Sequence, residues 1–547
     1  MQKIIDRRSF LKTSGLGALG LAALRCNRPY YNPLKSKPNI VLIMADDMGF
    51  SDLGCYGGEI QTPNIDQLAE KGLRYTQFYN ASRCCPTRAS LLTGLYAHQT
   101  GMGWMTAADL GSPGYTGDIN RNCVTLAEVL KQAGYSTYLS GKWHVTHDRY
   151  MKPSGPKHNW PLQRGFDRYY GPLDGGGSYF HTKVLVHDNE SLPVPEKEYY
   201  VTDAISEYAS KYITEHAKGK SEQPFFLYVG YTAPHFPLHA KPEDIEKYKD
   251  LYTRGWEIVR AERYSRLIEL GIIDEEWQLP GFEKDIQSWD KMSNAEKQHM
   301  VKRMAIYAAQ IDNMDQGIGQ IVTSLKETGQ YDNTLILFLS DNGGSAEFIS
   351  RGDKSYEALG TASSYESVRK PWATASNTPF RKYKQWEHEG GTATPLIVHW
   401  PEQIRSHGEL RHQVGHVIDF MPTFIDVTGA DYPDQYINNK IIPMEGVSLV
   451  PTFDNKSIQR EALYWEHQAT RAIRMGQWKL VADSHPDPPY EGKWELYNME
   501  TDRTETHNLA EQYPDRVEMM AEMWHRWAVR CRVYPLDGRG WFPRLEK

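Results

Sequence analysis

The chain has 547 residues, which is enough for more than one hydrophobic core. It carries 69 acidic and 62 basic residues, so its formal net charge is −7, and no long run of one charge sign occurs. The length favours one large and one small domain, and the charge balance argues against nucleic acid as a partner.

The first residues resemble an export signal. Residues 6–12 (DRRSFLK) are similar to a twin-arginine motif, and the apolar stretch at 15–24 is too short for a secure membrane span. A lipid anchor on Cys26 is an alternative, although Arg25 stands where a lipobox has a small residue. No other segment has the apolar length of a transmembrane helix. We expect residues 1–32 to be signal and linker and the mature protein to be exported to a bacterial periplasm.

An apolar strand pattern opens the next part of the chain. Residues 39–45 form a continuous apolar run, typical of a strand buried on both faces of a parallel sheet. Similar apolar runs occur at residues 225–231, 334–340 and 395–400. Helical patterns lie between the runs, at residues 125–133 and 294–326. This alternation predicts an α/β fold with a large, mostly parallel sheet between helices. Because ligands of such sheets collect at the carboxyl ends of strands, polar residues just after these runs are site candidates.

The remaining segments define the predicted domains. Residues 171–198 and 343–375, rich in Gly, Ser and charge, are predicted to be long loops, and 247–291 a largely helical insertion. From about residue 461, short alternating segments predict a small antiparallel sheet, followed by an amphipathic helix at 514–530. We therefore expect a catalytic α/β domain over residues 33–455 and a small C-terminal α+β subdomain over 456–547.

Acidic and amide side chains follow two of the predicted strands. Asp46 and Asp47 come directly after the first strand, and Asp341 and Asn342 follow the run at 334–340. Such oxygen ligands suit a hard divalent cation, and adjacent carboxylates repel each other unless a cation lies between them. Either pair alone is also ordinary turn chemistry. The two pairs, taken with the cysteine motif at residues 84–94, favour a metal site.

A cysteine motif lies at residues 84–94, with the sequence CCPTRASLLTG. Pro at +2 and Arg at +4 from Cys84 match the site at which type I sulfatases oxidise cysteine to formylglycine. Cys85 lacks this spacing, because Pro86 follows it directly and Ala89 stands at +4. The chain therefore resembles a type I, formylglycine-dependent sulfatase of the alkaline-phosphatase-like superfamily, with Cys84 as the residue that becomes formylglycine. A buried free cysteine is the alternative.

The same motif predicts a local structure. Pro86 is suited to a first helical turn and Gly94 to a helix end, so Cys84 is predicted near a helix N-terminus. Unpaired N–H groups and the helix dipole favour a sulfate ester or an oxyanion there. Arg88, which is always charged, is expected to hold that group in position.

Three more segments resemble sulfatase blocks, namely GKWH at 141–144, APHFPLH at 233–239 and NTPFRKYK at 377–384. The resemblance implies that Lys142 and His144 contact the sulfate and the formylglycine, and that His235 lies near the leaving-group oxygen. It likewise implies that Lys384 binds the sulfate. The ion implied is Ca²⁺, with Mg²⁺ as the alternative, and its implied ligands are Asp46, Asp47, Asp341, Asn342 and an oxygen of residue 84.

One position departs from the family pattern. Many sulfatases have an arginine two residues after the Glu-Gly-Gly element, whereas this chain has TATP at 392–395. Glu387 and His388 are candidates to replace that contact, and a role on a loop surface is the alternative.

The resemblance implies a sulfuric ester hydrolase acting on a sulfated small molecule or oligosaccharide, either an aryl sulfate or a sulfated carbohydrate. A formylglycine-generating enzyme or an anaerobic sulfatase-maturing enzyme is the implied partner. Two alternatives stay open: a phosphonate or phosphate ester hydrolase of the same superfamily, and a non-catalytic protein that binds sulfated glycans. The other cysteines beyond the signal are expected either to pair or to stay buried as thiols: Cys55, Cys85, Cys123 and Cys531.

Overall fold

The computed structural model describes residues 37–195, 199–483 and 490–534. The export signal predicted at 1–32 and the alternative anchor at Cys26 lie outside these residues. The described residues from Pro38 onward belong to one compact unit, and the predicted boundary between residues 455 and 456 falls inside it and stays a prediction. In the described ranges, none of the helices has both the length and the apolar character needed to cross a membrane.

The strands are, in chain order, β1 (Asn39–Ala45), β2 (Leu73–Tyr79), β3 (Ser136–Gly141), β4 (Arg168–Pro172), β5 (Leu185–His187), β6 (Glu190–Ser191), β7 (Phe225–Gly230), β8 (Thr334–Ser340), β9 (Ser350–Gly352), β10 (Ser364–Glu366), β11 (Ala393–His399), β12 (Glu409–Arg411), β13 (Gly415–His416), β14 (Gln435–Tyr436), β15 (Asn439–Lys440), β16 (Leu463–His467), β17 (Thr470–Met475), β18 (Trp478–Ala482) and β19 (Glu495–Asn498). The α-helices are Pro63–Glu70, Cys84–Thr93, Ala97–Thr100, Leu126–Gln132, Val201–Lys220, Pro242–Glu246, Trp256–Glu269, Asn294–Glu327, Lys370–Ser376, Glu389–Thr392, Phe420–Thr428, Val450–Phe453 and Pro514–Arg530.

Eleven strands of the described chain form the large sheet, in the order β12-β2-β11-β8-β1-β7-β3-β4-β5-β6, and β13 also pairs with β2. The central pairs β1 with β7, β1 with β8, β3 with β7 and β3 with β4 are parallel. β1, β7 and β8 are buried along their whole length because their side chains are apolar on both faces of the sheet. The predicted α/β fold with a mostly parallel sheet is confirmed.

β11 runs antiparallel to both β2 and β8. The apolar run predicted this strand but not its direction, because a buried strand is apolar whichever way it runs. Its first residue, Ala393, pairs with Tyr79 at the end of β2, so β11 begins at the edge where β1 and β8 end. The segment that precedes β11, which contains Lys384, is thereby brought to the edge predicted to carry the site.

Two segments predicted to be long loops contain short regular elements. Residues 171–198 include β5 and β6, which extend the large sheet, and residues 343–375 include the antiparallel pair β9 and β10 and most of the helix Lys370–Ser376. The prediction of a largely helical insertion at 247–291 is wrong. Apart from a short helical turn near its end, this segment holds only the helix Trp256–Glu269, because Gly271, Pro280 and Gly281 interrupt the chain that follows.

The predicted C-terminal sheet and helix are confirmed. β16, β17, β18 and β19 form an antiparallel four-stranded sheet in sequence order. The helix Pro514–Arg530 packs against it through buried Trp524 and Trp527, and the Trp524 indole N–H donates to the Trp465 carbonyl oxygen at 2.9 Å.

Glu389 joins the segment before β11 to the C-terminal part of the chain through buried ion pairs. Its carboxylate lies 2.9 Å from Lys479 Nζ and 2.7 Å from Arg503 Nε, and all three side chains are buried. Burial alone raises the pKa of Glu389, but Lys479 and Arg503 lower it to about 2. The stabilisation is therefore complete above the unfolded-state pKa and is lost as the pH falls towards about 2.

We expect Glu389→Gln to lower the free energy of unfolding by about 3 kcal/mol, because it leaves buried Arg503 without its carboxylate, whereas Lys479 keeps a second partner in Glu505, 2.9 Å away. Denaturant titration at neutral pH measures this change. Lys456→Ala, which breaks an exposed pair with Asp454, is the matched control and is expected to cost less than about 1 kcal/mol. An equal effect of the two substitutions would contradict the assignment.

Candidate active site

The two acidic pairs predicted from the sequence meet at the carboxyl edge of the sheet. The Asn342 side-chain amide donates to Asp47 Oδ1 at 2.7 Å, and the Asp47 backbone N–H donates to Asp341 Oδ1 at 3.2 Å. Asp47 has a φ of 67°, and the Tyr307 hydroxyl donates to its carbonyl oxygen at 3.2 Å. A non-glycine residue whose backbone has this left-handed conformation is held there by its surroundings, as is common at functional sites.

Oxygen donors without a protein partner remain at this edge. Asp46 Oδ1 and Asn342 Oδ1 are buried and accept no hydrogen bond from any described residue. Ligand atoms of Asp46, Asp47 and His235 lie within 4.8 Å of one another. Because buried oxygens without a partner are costly and carboxylate and amide oxygens suit a hard divalent ion, these residues fit such a cation. His235 was predicted as a catalytic residue and not as a ligand.

Three buried cations surround the carboxylates. Lys142 Nζ lies 2.5 Å from Asp46 Oδ2, and Arg88 lies 3.6 Å from Asp46 and 3.2 Å from Asp341. Lys384 Nζ lies 2.8 Å from the Asp47 carboxylate. The strand ends, the helix that begins at Cys84 and the segment before β11 thus bring Arg88, Lys142 and Lys384 together, as the resemblance implies.

The pKa values of Asp46 and Asp341 are shifted in opposite directions. Burial alone raises the pKa of Asp46, but the positive charges of Lys142, His235 and Arg88 bring it well below its usual range. Burial raises the pKa of Asp341 well above its usual range, and the charge of Asp46 adds to that effect. A cation between these carboxylates would relieve their repulsion.

Cys84 is the first residue of the helix Cys84–Thr93, so the helix begins two residues before Pro86. The helix ends, as predicted, at Gly94, whose φ of 69° allows its N–H to bond to the Ser90 carbonyl oxygen. The pKa of the buried Cys84 thiol lies well below its usual range because the Cys85 thiol donates a hydrogen bond to it. Lys142 and His144 add to this effect, which outweighs that of burial. The site therefore favours negative charge at residue 84.

His144 lies beside this cysteine pair. Its Nε2 is 3.2 Å from Cys85 Sγ, and its Nδ1 is buried and has no hydrogen-bond partner among the described residues. Burial lowers the pKa of His144, and Lys142 lowers it further. Gly175 packs against the ring so closely that a Cβ there would lie 2.8 Å from its atoms. The neutral imidazole is therefore held next to residue 84.

His235 lies at the rim of the site and is partly exposed. Its Nδ1 lies 2.6 Å from the Phe236 carbonyl oxygen, so this nitrogen carries a proton and donates it to that oxygen. Its Nε2 lies 3.6 Å from Asp47 Oδ2 and is the nitrogen that faces the site.

Several residues of the site were not predicted from the sequence. Glu347 lies 3.4 Å from Lys384 Nζ and 3.5 Å from Arg83, and the Tyr228 hydroxyl accepts a hydrogen bond from Arg88 at 3.0 Å. Tyr228 lies within a strand whose apolar run gave no sign of a polar role, and Glu347 lies in a segment predicted only as a loop. The signal available for Glu347 was the carboxyl end of β8 at Ser340, seven residues upstream.

The two candidates to replace the missing arginine are both buried, so the interpretation as a loop surface is wrong. Glu387 accepts a hydrogen bond from the Ser82 hydroxyl at 2.9 Å, and His388 Nε2 lies 3.4 Å from Glu495 of β19. The cysteines of the described chain are all free thiols, which leaves the pairing alternative without support.

Comparison with known proteins places this site in a family. The Sulfatase family model matches residues 38–430, and the model described as N-sulphoglucosamine sulphohydrolase, C-terminal, matches residues 381–530. An arylsulfatase of Klebsiella aerogenes is 34% identical, over 76% of this chain and 92% of its own length. An uncharacterised sulfatase of Schizosaccharomyces pombe is 32% identical, over 89% of this chain and 93% of its own length.

A solved structure shares the fold. The crystal structure of Ps i-CgsB in complex with k-i-k-neocarrahexaose superposes on this chain with a TM-score of 0.65 and 27% sequence identity. The match covers 90% of this chain and 93% of the chain in that structure. The family match spans most of the chain and includes every residue of the cluster around Cys84. The chain belongs to the sulfatase family of the alkaline-phosphatase-like superfamily and is a sulfuric ester hydrolase.

Proposed function

We propose that this enzyme cleaves sulfate monoesters through a formylglycine made from Cys84, with Ca²⁺ as the bound cation. The observation that carries the proposal is the position of Cys84 at a buried helix N-terminus, among Arg88, Lys142, His144 and Lys384 and beside the oxygen-rich strand ends. Asp46, Asp47, Asp341, Asn342 and residue 84 would hold the ion. Mg²⁺ is the alternative ion.

The residues of the chain have distinct roles in this proposal. Formylglycine, once made from Cys84 and hydrated, would supply a hydroxyl as nucleophile and a second hydroxyl for the release of sulfate, and a cation held by the strand-end oxygens would lower the pKa of that nucleophile. Arg88, Lys142 and Lys384 offset the charge on the sulfuryl oxygens from fixed positions, which need no reorganisation during the reaction. His235, in its doubly protonated form, donates the Nε2 proton to the departing alcohol oxygen while Nδ1–H stays bonded to the Phe236 carbonyl oxygen, and His144 takes a proton from residue 84.

A phosphate or phosphonate ester hydrolase is the alternative chemistry on the same framework. We expect kcat/KM for 4-nitrophenyl sulfate to exceed that for 4-nitrophenyl phosphate, because the carboxylates paired with Lys142, Arg88 and Lys384 would repel the second negative charge of a phosphate monoester. Steady-state kinetics on both esters measures this ratio. A preference for the phosphate would reverse the assignment, and no turnover of either ester would favour a non-catalytic glycan-binding protein.

The substrate class we propose is a sulfated carbohydrate, with aryl sulfates as smaller substrates of the same site. The complex of Ps i-CgsB with a neocarrahexaose and the similarity to an arylsulfatase support this choice. Turnover of a panel of sulfated mono- and oligosaccharides beside an aryl sulfate tests it.

We also propose export to the periplasm through the twin-arginine-like motif at Arg7 and Arg8. Twin-arginine export carries folded proteins, so a formylglycine-generating or anaerobic sulfatase-maturing enzyme would act on Cys84 in the cytoplasm before folding buries it. Fractionation of cells that express the full chain, with and without Arg7→Lys and Arg8→Lys, tests the location.

A further inference from the structure

A basic cleft of about 450 Å³ lies between the helix Trp256–Glu269, residues 280–285 and residues 370–383. Two acidic side chains, Glu283 and Asp285, line this cleft. Its five basic residues are Arg260, Lys284, Lys370, Arg381 and Lys382. The excess of basic residues makes the cleft suited to an anion.

Arg260 is the unusual residue of this cleft. Its side chain is only 3% exposed, and its Nε is buried with no hydrogen-bond partner in the described chain. One terminal nitrogen donates to the Pro280 carbonyl oxygen at 2.5 Å, and the guanidinium lies 4.8 Å from the Phe282 ring centre. Burial lowers the pKa of Arg260 to about 10, and within the described ranges no carboxylate offsets that effect. A buried cation without a counter-ion is costly unless it binds an anion.

The acidic residues of the cleft are already neutralised by lysines. Lys370 Nζ lies 2.8 Å from Asp285 Oδ2 and also contacts Glu283, and Lys382 Nζ lies 3.2 Å from Glu283. Lys284 is exposed at the cleft mouth. Arg260 and Lys284 therefore keep their positive charge for a ligand.

A second cavity adjoins the cleft and is lined by a residue next in sequence to an active-site neighbour. This cavity, of about 680 Å³, shares Asp285 and Lys370 with the cleft and reaches Ala346. Ala346 precedes Glu347, which lies 3.4 Å from Lys384 of the active site. This cavity is mainly apolar and carries Phe348, whose side chain is 79% exposed and lies 3.6 Å beneath the Arg369 guanidinium. An exposed aromatic ring thus lies in the cavity that adjoins the cleft, two residues from Ala346, and such rings suit the apolar faces of sugars.

We propose that the Arg260 cleft is a second anion subsite, which binds a sulfate group of a sulfated glycan chain while another part of that chain extends to the active site. The planar guanidinium can donate to two sulfate oxygens at once. The assignment of the sulfate to a substrate chain rests on the proposed function. The anion site itself rests only on Arg260 and its surroundings.

The test is a binding measurement on the full chain that carries Cys84→Ala, so that turnover does not interfere. Titration calorimetry with dextran sulfate, unsulfated dextran and sodium sulfate compares this protein with the same protein carrying Arg260→Met. We expect Arg260→Met to weaken dextran sulfate binding by about 10-fold, since it removes a charge-assisted pair of hydrogen bonds. Arg254→Met, which removes the same charge from an exposed pair with Glu262, is the matched control and is expected to leave the affinity unchanged.

Each outcome has a defined meaning. Unchanged dextran sulfate affinity in Arg260→Met overturns the proposal, and so does an equal loss in Arg254→Met. If sodium sulfate binding depends on Arg260 but dextran sulfate binds no better than dextran, the site takes a free anion and the glycan assignment is wrong. Lys284→Met, an exposed change that leaves the fold intact, is expected to weaken binding to a smaller extent. Lack of ester turnover by the unmutated protein would refute the proposed function and leave this result standing.

Discussion

Cys84→Ala is expected to lower kcat for an aryl sulfate by roughly 10⁶-fold, the scale seen when a covalent nucleophile is removed. The reason is structural. Cys84 is the first residue of a buried helix, and an alanine there has no sulfur-bearing carbon that a maturing enzyme can oxidise to the aldehyde. No other side chain of the cluster stands at that helix N-terminus with the spacing to Pro86 and Arg88 that a maturing enzyme requires. Steady-state kinetics on purified protein measures the loss.

Cys85→Ser is the matched control, because Cys85 is equally buried and lies one residue away. Its sulfur lies 3.2 Å from His144 Nε2, and a serine hydroxyl can keep a hydrogen bond to that nitrogen. We expect this variant to retain most of the activity. Mass spectrometry of the peptide that contains both cysteines should show an aldehyde at residue 84 and a thiol at residue 85. An unmodified Cys84 thiol in active enzyme would contradict the mechanism.

The fold was predictable wherever a strand is apolar on both faces. The runs at residues 39–45 and 334–340 coincide with β1 and β8, because only a strand at the centre of a sheet buries every side chain. The direction of β11 was not predictable, because it depends on pairing with strands that are distant in sequence. A buried strand has the same apolar pattern in either direction. The direction of β11 nevertheless decides the site, because it brings Lys384 to the edge where Asp47 lies.

Site residues were predictable where they belong to one local sequence motif. They were not predictable where only tertiary contacts bring them to the site. Cys84 and Arg88 share one helix, so their spacing in sequence specifies their arrangement. Glu347 and Tyr228 reach the same cluster from other elements, and nothing in their sequence surroundings indicates it. Arg260 is a similar case: its isolation from carboxylates is visible only after the chain has folded.

Removal of the divalent ion is expected to lower both activity and thermal stability. Asp46, Asp47 and Asp341 converge at one edge, and oxygens of Asp46 and Asn342 have no hydrogen-bond partner among the described residues. A bound cation would satisfy those oxygens and relieve the repulsion between carboxylates. We expect EGTA to reduce kcat by roughly 10³-fold, in line with the several kcal/mol that a metal ion supplies. Added Ca²⁺ at about 100 times Kd should stabilise the fold by about 2.7 kcal/mol.

Asp46→Asn should abolish this dependence on Ca²⁺, because it removes the negative charge of a ligand and leaves Lys142 and Arg88 without their shared carboxylate. Asp315→Asn is the matched control, since Asp315 is a buried carboxylate that accepts hydrogen bonds from the backbone of Ile65 and the side chain of Asn64, away from the strand ends. We expect it to keep the full Ca²⁺-dependent rise in Tm. Differential scanning calorimetry with EGTA or Ca²⁺ measures both variants. If EGTA changes neither Tm nor kcat of the unmutated enzyme, the carboxylates at the strand ends are balanced by Arg88, Lys142 and Lys384 alone, and the metal assignment fails.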